Sequence, residues 1–256
     1  MTKIIFFGNG PLSEATLNVL KNHFDIIFHT KTKEDLETVK KLKAENPDAF
    51  GVLASFGVMI KQDVLELFEP EGILNIHPSL LPKYRGASPI ESAILNGDTD
   101  FSVSIMKLVK AMDAGPIYYQ ETLKNPELNK FKLYDSLATA GADWLVQNIE
   151  NLPEPRPQDD SEATFTEKFD KSMSMLTPEK DTAEKTLRKI IAYENYPKAK
   201  YTFFNKECIV ISAHISEQPE SISLKCQDGK YVSIDILQPA GKKPMDAKSF
   251  LNGYGK

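Results

Sequence analysis

The strongest constraint on the fold is the alternation of short apolar runs with amphipathic stretches over the first part of the chain. Four apolar runs have the length of buried strands, and they lie at residues 3–7, 24–30, 49–55 and 72–76. Three stretches between them space their apolar side chains as a helix does, at residues 11–23, 33–46 and 61–68. Strands that alternate with helices predict βαβ units and a mostly parallel sheet.

The rest of the chain changes character after a further helix–strand–strand–helix pattern that ends near residue 149. Residues 151–162 are rich in proline and acidic side chains, which is typical of a linker. Beyond a helix at 180–194, short strands follow one another closely with turn residues between them, as in a small antiparallel barrel. The chain should end in a loop and a last helix.

These patterns predict an α/β fold with two domains. The first is a Rossmann-like, mostly parallel sheet with helices on both faces, and the second is a small C-terminal antiparallel β-barrel of the OB-like kind. We expect a catalytic domain over residues 1–150, a linker over 151–176 and the barrel over 177–256.

Composition excludes several classes of protein. The 256 residues are 41% hydrophobic with a net charge of −5, and no apolar run is long enough to span a bilayer. The two cysteines, Cys208 and Cys226, form no metal-binding or disulfide pattern, so we expect buried reduced thiols and a cytoplasmic protein without a metal. Residues 177–256 are weakly basic whereas residues 1–176 are acidic, which permits contact with a nucleic acid without requiring it.

Polar side chains stand where the fourth strand ends, in the stretch "NIHPSLLPKYRG". Asn75 and His77 are two residues apart, so on an extended backbone both point into one crevice at the carboxyl edge of the sheet. Asp113, in "LVKAMDAGP", follows a later strand. An Asn–His–Asp group without a serine or cysteine nucleophile suits acyl transfer by direct attack of an amine. From the residues alone, turn-forming and packing roles remain open, and they are the simpler interpretation of each residue taken singly.

The same stretch carries a resemblance to a known family. "NIHPSLLPKYRGASPIESAILNGD", followed by "VSIMKLVKAMDAGPIYYQE", resembles the folate-dependent formyltransferases. Within them, "RGASPIESAILNGD" and the C-terminal "LQPAGKKPMDAKSFLNGY" are similar to the branch that acts on methionyl-tRNA. The resemblance covers nearly the whole chain. It implies formyl transfer from 10-formyltetrahydrofolate to the α-amine of methionine on initiator tRNA.

The family implies roles for the matching positions. Asn75 and His77 would stabilise a tetrahedral oxyanion, and Asp113 would orient His77 or favour its protonated form and hold a relay water. The positions implied for folate binding are Ser79, Leu80, Leu81 and Pro82 in one loop, and Phe56, Gly57 and Ile60 in another. The candidate tRNA contacts are Arg85, Lys198, Lys200, Lys206, Lys242 and Lys243, for each of which plain surface solvation is the alternative. We expect a monomer with no membrane contact.

The sequence departs from the family pattern after the second strand. Members usually carry a long basic insertion there that grips the tRNA acceptor stem, whereas this chain runs directly into a helix and keeps only Lys31 and Lys33. This departure leaves the mode of tRNA selection open. Two alternatives therefore remain: a formyltransferase for another amine, such as an amino-sugar nucleotide or glycinamide ribonucleotide, and a non-catalytic module that binds folate or RNA.

Overall fold

The computed structural model describes residues 1–255, which form two compact units. Unit 1 consists of Met1–Ile90 and Thr99–Glu167. Unit 2 consists of Glu91–Asp98 and of the described residues from Lys168 onward. Residues 151–167, which we call the connecting segment, therefore belong to unit 1, although their composition is typical of a linker.

Unit 1 is built on a six-stranded sheet with the order β2-β1-β3-β4-β5-β6. The strands are β1 (Lys3–Gly8), β2 (Asp25–Thr30), β3 (Phe50–Ala54), β4 (Ile73–His77), β5 (Phe101–Lys107) and β6 (Ile117–Leu123). The first four pair in parallel, whereas β5 runs antiparallel to both β4 and β6. This mixed but mainly parallel sheet confirms the predicted Rossmann-like class.

Five α-helices of the described residues 1–149 lie between or after the strands of this sheet in the chain. They are α1 (Pro11–Leu20), α2 (Leu36–Glu45), α3 (Gln62–Leu65), α4 (Pro89–Asn96) and α5 (Lys130–Asn148). Successive residues of β1 face opposite sides of the sheet, which explains why the strand is apolar throughout. Ile5 and Phe7 pack with Val39 of α2 and Val64 of α3. On α5, Gly141 lets the helix approach the sheet closely, because an added Cβ would lie 2.9 Å from Ile76.

Unit 2 holds an antiparallel sheet with the order β11-β10-β8-β7, in which β9 also pairs with β10. Its elements are α6 (Ala183–Ala192), β7 (Lys200–Phe203), β8 (Lys206–Ser216), β9 (Ser223–Lys225), β10 (Tyr231–Pro239), β11 (Met245–Asp246) and α7 (Ala247–Tyr254). The curled sheet confirms the predicted OB-like domain. Its core includes Phe250 of α7, which is fully buried.

The two cysteines agree with the expectation from the sequence. Cys208 and Cys226 are buried and unpaired, and burial raises the pKa of both thiols. No helix among residues 1–255 is long and apolar enough to cross a membrane.

Candidate active site

Asn75 and His77 occupy the carboxyl end of β4, in the middle of the unit 1 sheet. Both are almost fully buried, with 4% and 5% of their surfaces exposed, and both line the same cavity. Their spacing of two residues places them on one face of the strand, as the sequence predicts. Within the described part of the chain, the Asn75 side-chain amide has no hydrogen-bond partner, so its donors are available to a bound molecule.

The His77 ring is held by the loop that follows β4. Its Nε2 atom lies 3.0 Å from the carbonyl oxygen of Tyr84. A carbonyl can only accept, so Nε2 carries a proton in this arrangement. The other ring nitrogen, Nδ1, is therefore the one left to take part in chemistry, and it lies 3.8 Å from Oδ2 of Asp113.

Asp113 approaches His77 from the loop between β5 and β6. Its backbone has a φ of 47°, a left-handed conformation that Asp tolerates better than most residues. The carboxylate accepts a 2.7 Å hydrogen bond from the backbone N–H of Gly86. The 3.8 Å separation between this carboxylate and Nδ1 of His77 is within the range of an ion pair but too long for a hydrogen bond.

Asn75, His77 and Asp113 all line one cavity of about 460 Å³ in unit 1. This volume is within the usual range for a small-molecule site. Residues 55–60, which follow β3, form another wall and include the three predicted folate positions Phe56, Gly57 and Ile60. The structure thus brings together the candidate catalytic group and one of the two predicted folate-binding segments.

The second predicted folate segment, Ser79–Pro82, lies outside the lining of this cavity, whose wall in that region is made by Pro78 and Gly86. Ser79 and Leu81 are buried, whereas Leu80 is 43% exposed. Ser104 of β5 holds this loop with two hydrogen bonds: its hydroxyl donates to the carbonyl of Ser79 and accepts from the N–H of Leu81.

Other walls of the cavity were not among the predicted site residues. Val58, Met59, Leu108 and Met112 contribute apolar surface, and Met59 and Met112 are 82% and 63% exposed. Loops are normally polar, so a methionine in each of the two loops beside the candidate site was the clue that the sequence offered.

Arg85 lies in an unexpected environment for an RNA contact. Only 4% of its surface is exposed, and its guanidinium bonds to the side chains of Gln158 and Asp160. An arginine that is buried and already paired favours an internal role over contact with RNA phosphates.

The candidate lysines lie in unit 2. Lys198, Lys206, Lys242 and Lys243 are exposed, whereas Lys200 pairs with Glu207 at 2.8 Å. The N–H of Ala240 donates to the carbonyl of Glu207, which brings the turn that carries Lys242 and Lys243 beside the start of β8. Three exposed lysines are therefore carried by neighbouring backbone segments at one end of this sheet. Among the described residues, no cluster of His, Cys, Asp and Glu could hold a metal ion.

The chain matches two family models, one after the other. Residues 10–149 match the formyl transferase family, and residues 170–255 match the formyl transferase C-terminal domain. A methionyl-tRNA formyltransferase of Dictyoglomus thermophilum is 35% identical over 246 residues, which cover 88% of this chain and 77% of that protein.

Solved structures share the fold. HypX from Aquifex aeolicus, in complex with tetrahydrofolic acid, superposes with a TM-score of 0.78 at 19% identity. The match covers 100% of this chain but 48% of HypX, so this chain spans about half the length of that protein. A methionyl-tRNA formyltransferase from Clostridium thermocellum has a TM-score of 0.69 at 19% identity over 93% of this chain and 98% of its own.

Proposed function

The chain belongs to the formyl transferase family, and on that premise we propose that it transfers the formyl group of 10-formyltetrahydrofolate to the α-amine of methionine on initiator tRNA. The observation that carries this proposal is the convergence of Asn75, His77 and Asp113 on one cavity of unit 1. We assign formyl transfer to residues 1–150 and tRNA binding to residues 177–256, with residues 151–176 between them.

One wall of the cavity suits the ring system of the folate donor. Phe56 and Ile60 are buried apolar walls, and Gly57 has a φ of 67° and carries no side chain, so its backbone can face a flat ring system. We assign the folate ring to this wall. The loop Ser79–Pro82 supports it from outside the cavity lining by holding Pro78 and His77 in place.

The chemistry follows from the groups that face the reacting carbon. The free amine attacks the formyl carbon, a C–N bond forms, and the carbonyl electron pair moves to oxygen. The Asn75 amide, which has no hydrogen-bond partner among residues 1–255, donates to this oxyanion. Nδ1 of His77 does the same when the ring carries a proton on both nitrogens. One such donor contributes about 3 kcal/mol to lowering the barrier. The attacking nitrogen then gives its proton to the Asp113 carboxylate, or to a water that the carboxylate holds, and this group passes the proton to N10 of the folate. The oxyanion re-forms the carbonyl as the N10–formyl bond breaks, so protonated N10 leaves as neutral tetrahydrofolate.

Unit 2 supplies the features expected of an RNA-binding surface. The exposed Lys206, Lys242 and Lys243 are carried by neighbouring backbone segments, and Phe204, two residues before Lys206, is 54% exposed. Lysines that neutralise phosphates, combined with an aromatic ring available for stacking, are typical of OB-type RNA binding. Lys198 is a further exposed candidate, whereas Lys200 is already paired.

The short segment after β2 is the observation that favours a second candidate. Only residues 31–35 join β2 to α2, and the Asp35 carboxylate closes this turn by accepting from the N–H groups of Lys31 and Thr32. A chain without a tRNA-gripping insertion suits a smaller amine, such as an amino-sugar nucleotide. A non-catalytic folate- or RNA-binding module would have no use for three polar side chains converging in one cavity.

The test is a formylation assay with 10-formyltetrahydrofolate and three acceptors: initiator methionyl-tRNA, elongator methionyl-tRNA and an amino-sugar nucleotide. We expect strong preference for the initiator tRNA. Formylation of the sugar nucleotide alone would replace the proposed acceptor, and no formylation with any amine would favour the binding module.

The proposal also expects a monomer that works in the cytoplasm, where aminoacyl-tRNA is used. Size-exclusion chromatography tests the expected monomer.

A further inference from the structure

The connecting segment is attached to the candidate active site by backbone hydrogen bonds at two places. Arg156 and Ile117 exchange both of their backbone hydrogen bonds, at 2.7 and 2.8 Å. Further along, Arg85 donates to the carbonyl of Thr164 and accepts from the N–H of Thr166. The first attachment is to β6, just after the Asp113 loop, and the second is to the loop after His77. Residues 156–166 therefore join the two loops that meet at His77.

Gln158 lies between these two attachments in the sequence, and both the oxygen and the nitrogen of its side-chain amide form hydrogen bonds. Its Oε1 accepts from Nε and Nη2 of Arg85, at 3.0 and 2.8 Å. Its Nε2 donates to the backbone carbonyls of Asp113 and Gly115, at 2.8 and 2.7 Å. One side chain thus ties the Asp113 turn to the residue that precedes Gly86.

Gly86 is the residue whose N–H holds the Asp113 carboxylate, at 2.7 Å. Gln158 therefore fixes the backbone of Asp113 directly, and through Arg85 it fixes the donor that orients the Asp113 side chain. The left-handed backbone of Asp113 needs such support, because a non-glycine residue held there is less stable than in an ordinary conformation.

We infer that Gln158 is a positioning residue for the formyl transfer reaction, which sets the place of the Asp113 carboxylate relative to His77. This inference rests on the proposed function. A displacement of about 1 Å in a reacting group can reduce a rate about a hundredfold, so the loss of the two bonds to the Asp113 turn should reduce kcat strongly. Gln158 does not line the cavity, and its side-chain hydrogen bonds go to Arg85, Asp113 and Gly115 rather than to His77.

A purely structural role for Gln158 would consist of satisfying the buried guanidinium of Arg85. Gln158→Glu separates the two roles: it keeps an acceptor for Arg85, even as an ion pair, but it removes the N–H donors to the carbonyls of Asp113 and Gly115. Gln158→Ala removes both. The matched control is Asp160→Asn, which changes the other side-chain partner of Arg85, a residue whose side chain is 79% exposed. Gln147→Ala, on the exposed side of α5, is a second control.

The experiment measures kcat, the Kd for folate, the denaturation midpoint and the hydrogen exchange of the amides at residues 113–117 in each variant. For Gln158→Glu we expect kcat to fall at least about tenfold, with the folate Kd within about twofold, the midpoint retained and faster exchange in that turn. Gln158→Ala should show the same changes and also a lower denaturation midpoint, because Arg85 loses an acceptor. Both controls should match the wild type.

A wild-type kcat and unchanged exchange in Gln158→Glu would overturn the inference. So would a loss of kcat that disappears at a lower temperature, where the fold is fully populated. The exchange measurement needs no acceptor, so it separates this inference from the proposed function. If the wild type formylates no tRNA but the turn loosens in Gln158→Glu, the proposed acceptor fails while the positioning of Asp113 stands.

Discussion

Nε2 of His77 lies 3.0 Å from the carbonyl oxygen of Tyr84, and this contact leaves Nδ1 as the ring nitrogen nearest to Asp113. The loop after β4 thus decides which nitrogen of the histidine can take part in chemistry. Tyr84 itself has a φ of 59°, and its N–H is bonded to the hydroxyl of Thr164 in the connecting segment. The orientation of the imidazole therefore depends on residues far away in the sequence.

Two substitutions of His77 by amide side chains test which ring nitrogen takes part in formyl transfer. Asparagine places its amide near the position of Nδ1, whereas glutamine places it near that of Nε2. If Nδ1 is the reactive atom, His77→Asn should keep about tenfold more kcat than His77→Gln, although both fall well below the wild type. Steady-state formylation kinetics measure the difference, with folate binding as the check on the fold. A larger residual rate in His77→Gln would assign the chemistry to Nε2.

Charge reversal of Lys242 and Lys243 tests the RNA surface of unit 2. The double change to glutamate should weaken tRNA binding several-fold and reduce the slope of log K against log salt by about two, because two phosphate contacts are lost. The matched control reverses Lys225 and Lys230, which lie in the same unit and change the net charge equally. Equal slopes in the wild type and the double variant would remove this turn from the RNA interface.

His214 predicts a pH dependence for the stability of unit 2. Its hydrogen bond to Glu220 raises the pKa of the ring, burial opposes this, and the hydrogen bond to Asp235 raises the pKa further. A pKa that is raised in the folded state stabilises the fold fully below the unfolded value of 6.5. That contribution is lost as the pH rises through the folded pKa.

The measurement is the urea midpoint of the wild type and of His214→Gln at several values from pH 6 to pH 9. The wild type should lose a small part of its stability over this range, because the group is exposed to solvent and the interaction is screened. His214→Gln should lack that part. The same pH dependence in both proteins would show that other groups cause it.

The sequence predicted the first half of unit 1 closely. Strands β1 to β4 and the helices between them follow from the apolar periodicity. Strands β1, β3 and β4 are buried on both faces, and the edge strand β2 is half-buried. The positions of Asn75 and His77 followed from the two-residue repeat of a strand. The antiparallel direction of β5 and β6 depends on contacts between distant residues, and no local pattern reports them.

Other parts of the site were beyond local reasoning. Proline and acidic residues suggested a linker at residues 151–162, but Gln158 and Arg156 bond to unit 1. Arg85 looked like a surface cation because charge alone carries no information on burial. Its partner Gln158 lies 73 residues away in the sequence. The cavity walls at Met59 and Met112 come from loops, whose conformation is set by their neighbours in space.

The central claim, that Asp113 acts with His77 in formyl transfer, is tested most directly by the single-turnover rate of Asp113→Asn. Asparagine keeps the size of the side chain and an oxygen that accepts from the Gly86 N–H, but it cannot take up a proton. With saturating 10-formyltetrahydrofolate and initiator methionyl-tRNA, we expect the rate to fall about a hundredfold or more, with the folate Kd within about twofold of wild type. A rate near that of the wild type would contradict the proposed mechanism.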